Sequence, residues 1–442
     1  MKNTLGKRFT FSSLIRFALP NIIMMIFLSM YTIVDGMFIS RYVGTLALSA
    51  VNMSYPLNSI ELAFGIMLAT GSSAVIAMRM GQGRAQTAKE NFTFVVLVAF
   101  LSGVLIAVLG NIFIDELLHM LGVSELQLTL CRDYTRVLLS FSPMFFLQTA
   151  FQTLFVTAGK PHLGLVLTVL AGVSNIVLDY VFVAVFGFGV VGAAVATGIG
   201  YCVPAVIGLV YFAKNKSGTL YFVPFKPDWK MMLKTCTNGS SEMVTNVANA
   251  VTTFLFNMIF MRYYGEDGVA AITIVLYFQF VFTAVFFGFS MGVAPIISYK
   301  YGSGDAKQLK KLVRDSLIFI LICSATSYPL SRIIIAPALV LFTDTASTVY
   351  DLTLAGFPIF AVSFLFMGVS SFASALFTAL SDGKVSAIIS FARTFLFLAG
   401  AIILLPMLIG EHGLWLSVPV AELAGLAVSI FFLLTKRQKY HY

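Results

Sequence analysis

The 442-residue sequence is 59% hydrophobic and 11% charged, with a net charge of +9, and its mean hydropathy is +0.94. Soluble domains are about 45–50% apolar and roughly 25% charged, so this composition excludes a soluble enzyme built on one large core. Apolar stretches of about 20 residues, each long enough to cross a bilayer as a helix, recur along the whole length. The strands of a membrane barrel would alternate in hydrophobicity, whereas "FVVLVAFLSGVLIAVLGNIFI" (94–114) is apolar on every face. The sequence therefore predicts an all-α membrane protein.

The amino end, "MKNTLGKRFTFSSLIRF", is basic and polar, and no small-residue cleavage site follows the first apolar run. We expect that run to be a retained span rather than a signal peptide. Apolar runs bounded by charged residues or by Gly and Pro predict twelve transmembrane helices. The predicted spans are 13–38, 51–78, 92–114, 134–157, 163–186, 190–212, 237–261, 269–299, 315–341, 352–380, 385–408 and 413–434.

The longest polar interval, 213–234, is predicted to be a linker between two lobes of six spans each, 1–212 and 235–442. Orientation follows from the basic residues, because the cytoplasmic loops of membrane proteins carry an excess of Lys and Arg. Placing the amino end in the cytoplasm puts most of the 28 Lys and Arg residues on that side. Both termini and the linker are therefore predicted to be cytoplasmic. The positive charge is a topology determinant rather than a nucleic-acid surface.

Residues 41–90 align without gaps on 262–311, and the identical pairs include glycines of the same loops. Because each lobe contains an even number of predicted spans, the two lobes enter the membrane in the same sense. Parallel repeats of this kind are a transporter architecture, with substrate and ion sites where the repeats meet. The four cysteines lie far apart with no CxxC spacing, so neither a disulfide framework nor a zinc site is expected.

Several stretches carry a family resemblance. "FALPNIIMMIFLSMYTIVDGMFISRYVGTLALSAV" (17–51), "GSSAVIAMRMGQGRAQTAKE" (71–90) and "GVAPIISYKYGSGDAKQLKK" (292–311) resemble the multidrug and toxin extrusion (MATE) transporters. "NGSSEMVTNVANAVTTFLFN" (238–257) and "LWLSVPVAEL" (414–423) are similar to the bacterial branch that includes the MepA-type pumps. The resemblance implies V-shaped lobes around a central cavity in the bacterial inner membrane. It also implies export of drugs or toxins by antiport with H⁺ or Na⁺, with no enzymatic activity and no cofactor.

Charged residues inside the spans are functional candidates, because a charge in hydrocarbon is costly. Asn175 and Asp179 lie four residues apart, so they share one helix face. The resemblance matches Asp35, Asn175, Asp179 and Thr197 to the family's amino-lobe cation site. Two carboxylates in one pocket of low dielectric cannot both stay ionised at low cost, so they should titrate as a pair. The site would then bind a proton or a sodium ion and so offset the cost of the buried carboxylates. The alternative is that these residues form a polar cluster whose only role is to fix how the helices pack.

The second lobe does not repeat these residues. Its membrane charges are Arg393 and Glu422, which we expect to form a structural pair. Glu61 and Glu242 are weaker candidates, and Glu242 is expected to lie near the membrane surface, where water solvates it. Pro20 interrupts the hydrogen bonds of the first helix, and the resemblance implies that this helix bends there when the site is protonated. A static kink is the alternative.

Residues expected to line a substrate cavity carry amide, aromatic or thioether groups: Tyr31, Met53, Gln148, Gln152, Asn257, Tyr277 and Gln279. Aromatic and methionine side chains at helical spacing also serve plain packing, but a site for lipophilic, often cationic drugs needs such adaptable surfaces. The chain is expected to act as a monomer in the lipid bilayer. A lipid-linked oligosaccharide flippase of the same superfamily and a non-transporting receptor or scaffold are the competing functions.

Overall fold

The computed structural model describes residues 4–123, 125–340 and 342–442, apart from the side chains of residues 32–41, 45, 46, 48, 49 and 126. All regular structure in these residues is helical, which confirms the predicted all-α fold. A 3₁₀ turn (Thr4–Gly6) precedes the first helix, and π-helical segments (Tyr180–Val185 and Ala392–Ala399) follow the seventh and thirteenth. The helices are α1 (Phe11–Tyr42), α2 (Thr45–Gly81), α3 (Ala85–Ile112), α4 (Ile114–Met120), α5 (Glu125–Ser140), α6 (Ser142–Thr157), α7 (Pro161–Asp179), α8 (Gly189–Lys214), α9 (Trp229–Gly302), α10 (Ala306–Leu339), α11 (Thr348–Ala361), α12 (Phe364–Ala379), α13 (Gly383–Phe391), α14 (Gly400–Ile409), α15 (Glu411–Thr435) and α16 (Arg437–Tyr440).

The described helices account for the twelve predicted spans. Among the described residues, nine helical segments are individually long and apolar enough to cross a membrane, and two bent pairs reach that length together. One of the nine, α9, contains 74 residues, about 110 Å at 1.5 Å per residue, whereas a bilayer core is about 30 Å thick. A non-helical backbone at Gly265 (φ 65°, ψ −149°) divides it into two spans.

Two predicted spans are bent rather than continuous. The span predicted at 134–157 is divided into α5 and α6 with a bend of 55°, and the one at 352–380 into α11 and α12 with a bend of 52°. Pro143 lies in the first turn of α6, and Pro358 lies in the last turn of α11. Because proline has no N–H donor, Pro143 prevents α5 from continuing into α6, and Pro358 removes a hydrogen bond near the end of α11, so both breaks have a local cause.

The backbone confirms the internal repeat. Gly44 (φ 111°) occupies the same repeat position as Gly265 (φ 65°), and Gly83 (φ 76°) the same position as Gly304 (φ 71°). Glycine adopts positive φ without the steric cost that other residues meet there. The two halves therefore turn at equivalent points and by the same means.

Both chain ends lie at one end of the helix bundle, which we call the terminal face. Lys300 Nζ donates a hydrogen bond to the Gly6 carbonyl (3.1 Å). Beside it, the Tyr440 and Tyr301 rings pack edge to face at 5.7 Å between centroids. Because Lys300 and Tyr301 are adjacent, the amino and carboxyl ends meet the same end of α9.

The segment 215–228, which joins α8 to α9, belongs to the same face. The Thr219 hydroxyl donates to the Ala158 carbonyl (3.0 Å), and Thr4 packs against the neighbouring Gly159. The predicted linker is therefore longer than the irregular segment, because α8 continues to Lys214 and α9 begins at Trp229. The termini and the connecting segment share one face, as the charge pattern predicts.

Candidate functional site

The predicted site lies where α7 meets α8. Asn175 and Asp179 occupy one face of α7 and are 1% and 0% exposed. Gly200 of α8 brings the two helices close, since a Cβ at that position would lie 3.4 Å from the Cβ of Asn175. Thr197, one turn earlier on α8, is also buried. The helix packing therefore places three of the four predicted side chains together.

Hydrogen bonds connect these three side chains. With the Asn175 amide oriented so that both of its ends are satisfied, Nδ2 donates to Asp179 Oδ2 at 3.0 Å. In the same orientation, Asn175 Oδ1 accepts from the Thr197 hydroxyl at 3.1 Å. Asn175 thus links a buried carboxylate to a buried hydroxyl.

Asp35, the fourth predicted residue, lies outside the described residues. Its helix does reach the site, because the Phe27 ring of α1 packs directly against Gly172 of α7. Any side chain at Gly172 would overlap that ring. Gly172 precedes Asn175 by three residues, so the face of α7 that carries the site also contacts α1.

Sequence reasoning missed a change of helix type at the site. The α-helical geometry of α7 ends at Asp179, and the π-helical segment Tyr180–Val185 follows directly. A π turn contains an extra residue, so it rotates the following side chains to a different face, and such turns are frequent at functional sites. The apolar run "YVFVAV" gives no signal of it, because a run that is apolar at every position has no periodicity that would distinguish the two helix types.

The group is suited to holding a proton or a small hard cation, because it offers carboxylate, amide and hydroxyl oxygens. Within the part of the chain that the structure describes, no group of three or more His, Cys, Asp or Glu side chains could hold a metal ion. Any cation bound here would therefore rely on mixed oxygen ligands.

The charges of the second half form an ion pair. Arg393 Nε donates to both carboxylate oxygens of Glu422, at 3.0 and 2.9 Å. Arg393 Nη1 donates in addition to the Ser371 hydroxyl at 2.9 Å. The Arg393 side chain is 14% exposed and that of Glu422 is 5% exposed, so the pair is largely shielded from solvent.

The expectation for Glu242 was wrong. Its sequence position suggested a solvated residue near the membrane surface, but it is 6% exposed. It lines a cavity of about 20 Å³ between α9, α2, α6 and α12. Glu242 is buried because α2 lies along α9 and covers this turn of the helix, which is a contact between elements distant in sequence. Glu61, on α2, is 8% exposed.

Pro20 is buried within α1, and the helix is assigned continuously through it. The next residue, Asn21, donates from Nδ2 to the Gly288 carbonyl of α9 at 2.8 Å. Pro20 therefore lies beside a hydrogen bond that joins the first half of the chain to the second.

Of the predicted cavity residues, three amides lie in different surroundings. Gln152 Nε2 donates to the Thr168 hydroxyl at 3.3 Å, so it links α6 to α7. The side-chain oxygens of Gln148 and Asn257 are buried without a hydrogen-bond partner among the described residues. Unpaired buried acceptors are costly, and they are typical of positions that water or a ligand satisfies.

The other predicted cavity residues differ in exposure. Tyr277 is 41% exposed and its ring stacks on Phe342 with 6.3 Å between centroids. Met53 packs against the small apolar cluster of α2, α4 and α5. Tyr31 and Gln279 are partly buried. These residues lie on α1, α2 and α9, which also contribute to the contact between the two halves.

The fold matches solved transporter structures closely. One, "Crystal structure of MATE in complex with MaL6", has a TM-score of 0.94 at 20% identity and covers 100% of this chain and 99% of its own. A second, "Outward-facing conformation of a multidrug resistance MATE family transporter of the MOP superfamily", has a TM-score of 0.93 at 21% identity, with the same coverage. At these identities the likeness shows the fold alone, two parallel repeats of membrane helices.

The sequence model of the MatE family matches residues 20–181 and 243–403, one range in each repeat. The chain therefore belongs to the MatE family, whose members are transporters rather than enzymes. A relative, multidrug export protein MepA of Staphylococcus haemolyticus (strain JCSC1435), is 22% identical over 433 residues, which are 97% of this chain and 94% of that protein. The family resemblance seen in the motifs is confirmed.

Proposed function

We propose that the protein is a multidrug efflux transporter that exports lipophilic, often cationic compounds in exchange for protons. The buried cluster of Asn175, Asp179 and Thr197 carries this proposal, because a carboxylate inside the membrane needs a coupling role or a permanent partner. The relative named a multidrug export protein spans nearly the whole chain, which supports export of drugs or toxins.

The relative position of α1 and α7 along the membrane normal supports a site that Asp35 shares with Asp179. Both helices begin at the terminal face and therefore run in the same direction, and Phe27 contacts Gly172. Asp35 follows Phe27 by eight residues, and Asp179 follows Gly172 by seven. At about 1.5 Å per residue these are rises of about 12 and about 10 Å. We therefore expect the two carboxylates at the same depth.

The hydrogen bonds favour protons over sodium as the coupling ion. A sodium ion needs several oxygens with free lone pairs around it, whereas Asn175 Oδ1 already accepts from both the hydroxyl and the backbone N–H of Thr197. A proton needs only a carboxylate oxygen. Protonation also removes the negative charge that attracts a cationic drug, so drug and proton compete for one site and exchange follows.

The repeat supports alternating access between two lobes, 1–212 and 235–442, joined by 213–234. We place the protein in the bacterial inner membrane as a monomer, with the terminal face in the cytoplasm, because the basic residues cluster on that side. Bending of α1 at Pro20 would couple the site to the contact between the lobes, since Asn21 bonds to Gly288 there. The drug would pass between the lobes, near Gln148 and Asn257.

The competing flippase function fits less well. Flippases for lipid-linked oligosaccharides need free cationic side chains to meet a pyrophosphate. Arg393 lies well inside a predicted span, but its guanidinium already donates hydrogen bonds to Glu422 and Ser371 and is therefore not free to bind a pyrophosphate. A receptor or scaffold, for its part, has no need for a buried carboxylate beside a π turn.

The test is drug transport in vesicles reconstituted with the purified protein, with each ion gradient imposed alone. We expect a proton gradient without sodium to drive uptake of an ethidium-like dye into inside-out vesicles. Transport driven by sodium with the proton gradient collapsed would instead assign the site to sodium. No dye transport with either gradient, together with rescue of a flippase defect in cells, would overturn the proposal.

A further inference from the structure

A guanidinium at the terminal face has a buried donor without an acceptor. Arg79 lies in the last turn of α2, and its Nε is buried with no hydrogen-bond partner among the described residues. Other basic side chains of this face are engaged: Lys89, for example, donates to the Tyr221 hydroxyl at 2.8 Å. An unpaired buried donor on a charged group is costly, so Arg79 Nε indicates a position that a ligand satisfies.

A second cation faces Arg79 from the other half of the protein. Lys234 lies on the second turn of α9 and is exposed. The two helices touch here, since a Cβ on Gly71 of α2 would overlap the Thr235 carbonyl oxygen of α9. We call this contact, between residues 71–81 and 229–239, the seam. Because α2 ends and α9 begins at the terminal face, the helices run antiparallel at the seam.

The geometry of the seam brings the two charges together. Side chains of a helix lean toward its amino end, so those of Arg79 and Lys234 lean toward each other along the antiparallel pair. The two charges are close enough to repel each other. Lys230, one turn before Lys234 on the same face of α9, is also exposed and adds a third positive charge.

No acidic side chain of the described residues forms an ion pair with any of these three cations. Asp228, the acid nearest to Lys234 in sequence, is used to cap α9, because its Oδ1 accepts from the Met231 backbone N–H at 2.9 Å. Like charges on the two sides of a contact weaken it. The seam therefore has an electrostatic cost that a bound anion would offset.

The first turns of α9 also carry apolar side chains that no other part of the described protein covers. Trp229 and Leu233 are each 67% exposed, and the Trp229 ring packs edge-on against Phe94 of α3 with 5.3 Å between centroids. Tryptophan is enriched where membrane helices pass through the headgroup region. Since α9 begins at Trp229, its first turns place cations and apolar surface side by side at the membrane surface.

A phosphate group suits the cations, and a lipid suits the whole surface. The Nε–H and one Nη–H of a guanidinium point in parallel and can donate to two oxygens of one phosphate. A free phosphate ion would leave Trp229 and Leu233 uncovered, whereas the acyl chains of a phospholipid cover them. A zwitterionic headgroup would bring its own ammonium beside Lys230, so the headgroup that fits carries a net negative charge.

We propose that Arg79 and Lys234 form a binding site for the phosphate of an anionic phospholipid, and that the bound headgroup holds the terminal face closed. The phosphate accepts hydrogen bonds from Arg79 of the first half and from Lys234 of the second. It thereby replaces a repulsion across the seam by two attractions. Opening of the terminal face separates the two cations and breaks this bridge, so anionic lipid favours the closed arrangement.

The first test uses Trp229 as the probe of the bound lipid. The chain contains two tryptophans, and Trp415→Phe leaves Trp229 as the sole fluorophore. This variant is reconstituted in mixed vesicles of phosphatidylcholine and phosphatidylglycerol, in which one lipid or the other carries brominated chains. We expect brominated phosphatidylglycerol to quench Trp229 more strongly than brominated phosphatidylcholine at equal mole fraction. Equal quenching by the two lipids would overturn the proposal.

Charge variants in the same background show whether the cations cause this preference. Arg79→Gln and Lys234→Gln should each lower the relative affinity for phosphatidylglycerol about fivefold. Because Lys234 is exposed, its replacement keeps the test valid even if Arg79→Gln does not fold. Lys310→Gln, at an exposed lysine of α10 on the same face, is the matched control and should leave the preference unchanged. An unchanged preference in Lys234→Gln would refute the site.

A competition arm distinguishes lipid from free phosphate as the source of the ligand. Inorganic phosphate is added to the same vesicles at constant ionic strength, and we expect the preference for phosphatidylglycerol to persist. Loss of the preference at millimolar phosphate would assign Arg79 and Lys234 to a free phosphate ion and overturn the lipid proposal.

The second test measures closure of the terminal face. Gln86 and Lys307 occupy equivalent repeat positions at the starts of α3 and α10, and both are exposed. Spin labels at Gln86→Cys and Lys307→Cys, in a variant without native cysteines, report the distance between the halves. We expect phosphatidylglycerol to shift this distance toward shorter values than pure phosphatidylcholine gives, and Lys234→Gln to abolish the shift. Identical distances in both lipids would show that the lipid does not hold the face closed. Neither test needs a drug or an ion gradient, so both are independent of the proposed export.

Discussion

Gly81 and Gly302 hold the two halves of the protein together at the terminal face through a reciprocal contact. A Cβ on Gly81 would overlap the Tyr299 carbonyl oxygen, and a Cβ on Gly302 would overlap the Met78 carbonyl oxygen. Each glycine contacts the residue three positions before the other, so the contact follows the symmetry of the repeat. Small residues allow membrane helices to approach this closely.

We predict that Gly81→Ala and Gly302→Ala separate the halves at the terminal face and reduce export severalfold. The added methyl meets backbone, which cannot move aside as a side chain can, and overpacking of this kind costs about 1–3 kcal/mol. Gly400→Ala is the control, because its Cβ would meet nothing within 4 Å. The measurement is dye efflux at matched expression, and equal efflux in all three variants would contradict the prediction.

Asp35→Asn and Asp179→Asn are each expected to abolish coupled efflux while leaving the protein folded and inserted. The amide keeps the volume of the side chain but cannot exchange a proton. Efflux and dye binding are measured in cells that lack other pumps, with the exposed Asp351→Asn as the control. Normal export with normal gradient dependence in both variants would exclude the coupling role.

The Arg393–Glu422 pair is expected to be structural, and replacing one partner should reveal this. Glu422→Gln leaves a buried guanidinium without its counter-charge, which costs about 3 kcal/mol or more. The double variant Arg393→Met, Glu422→Leu removes both charges and should regain most of that stability. Thermal unfolding in detergent measures both effects. A double variant that unfolds as early as the single one would contradict a purely electrostatic cause.

Both ends of the topology can be tested by labelling. In a variant without native cysteines, Lys216→Cys and Lys439→Cys should resist an impermeant thiol reagent in intact cells and react after lysis. Lys216 is exposed and the Lys439 side chain is 59% exposed, so burial does not explain protection. Ready labelling of either position from outside would reverse the predicted orientation.

The docking of α16 should depend on alkaline pH. Burial, together with the hydrogen bond from the Tyr440 hydroxyl to Asp382, raises the pKa of Tyr440 above its usual value of 10.0. The folded state therefore holds this proton more tightly, so the stabilisation is complete below about pH 10 and is lost as the pH rises further. Proteolysis of the carboxyl-terminal tail should accelerate in that range. Tyr440→Phe should show less of this pH dependence.

The sequence alone determined the class of fold, because hydrophobic run length and basic-residue bias depend on transfer free energies that act on each segment independently. Twelve spans, the shared side of both termini and the repeat marked by Gly44 and Gly265 all follow from such local terms. The i, i+4 spacing of Asn175 and Asp179 also placed them on one face before any packing was known.

Only the tertiary structure decided which helices cover that face. It therefore also decided the burial and the hydrogen-bond partners of each polar side chain. The spacing of Asn175 could not show that Thr197 is its partner, because that contact depends on how closely α8 packs at Gly200. Glu242 was expected in water and is buried against a small cavity instead, since its burial depends on α2, which is distant in sequence. Burial and hydrogen bonding between helices are properties of pairs of segments, so a pattern read along one segment cannot determine them.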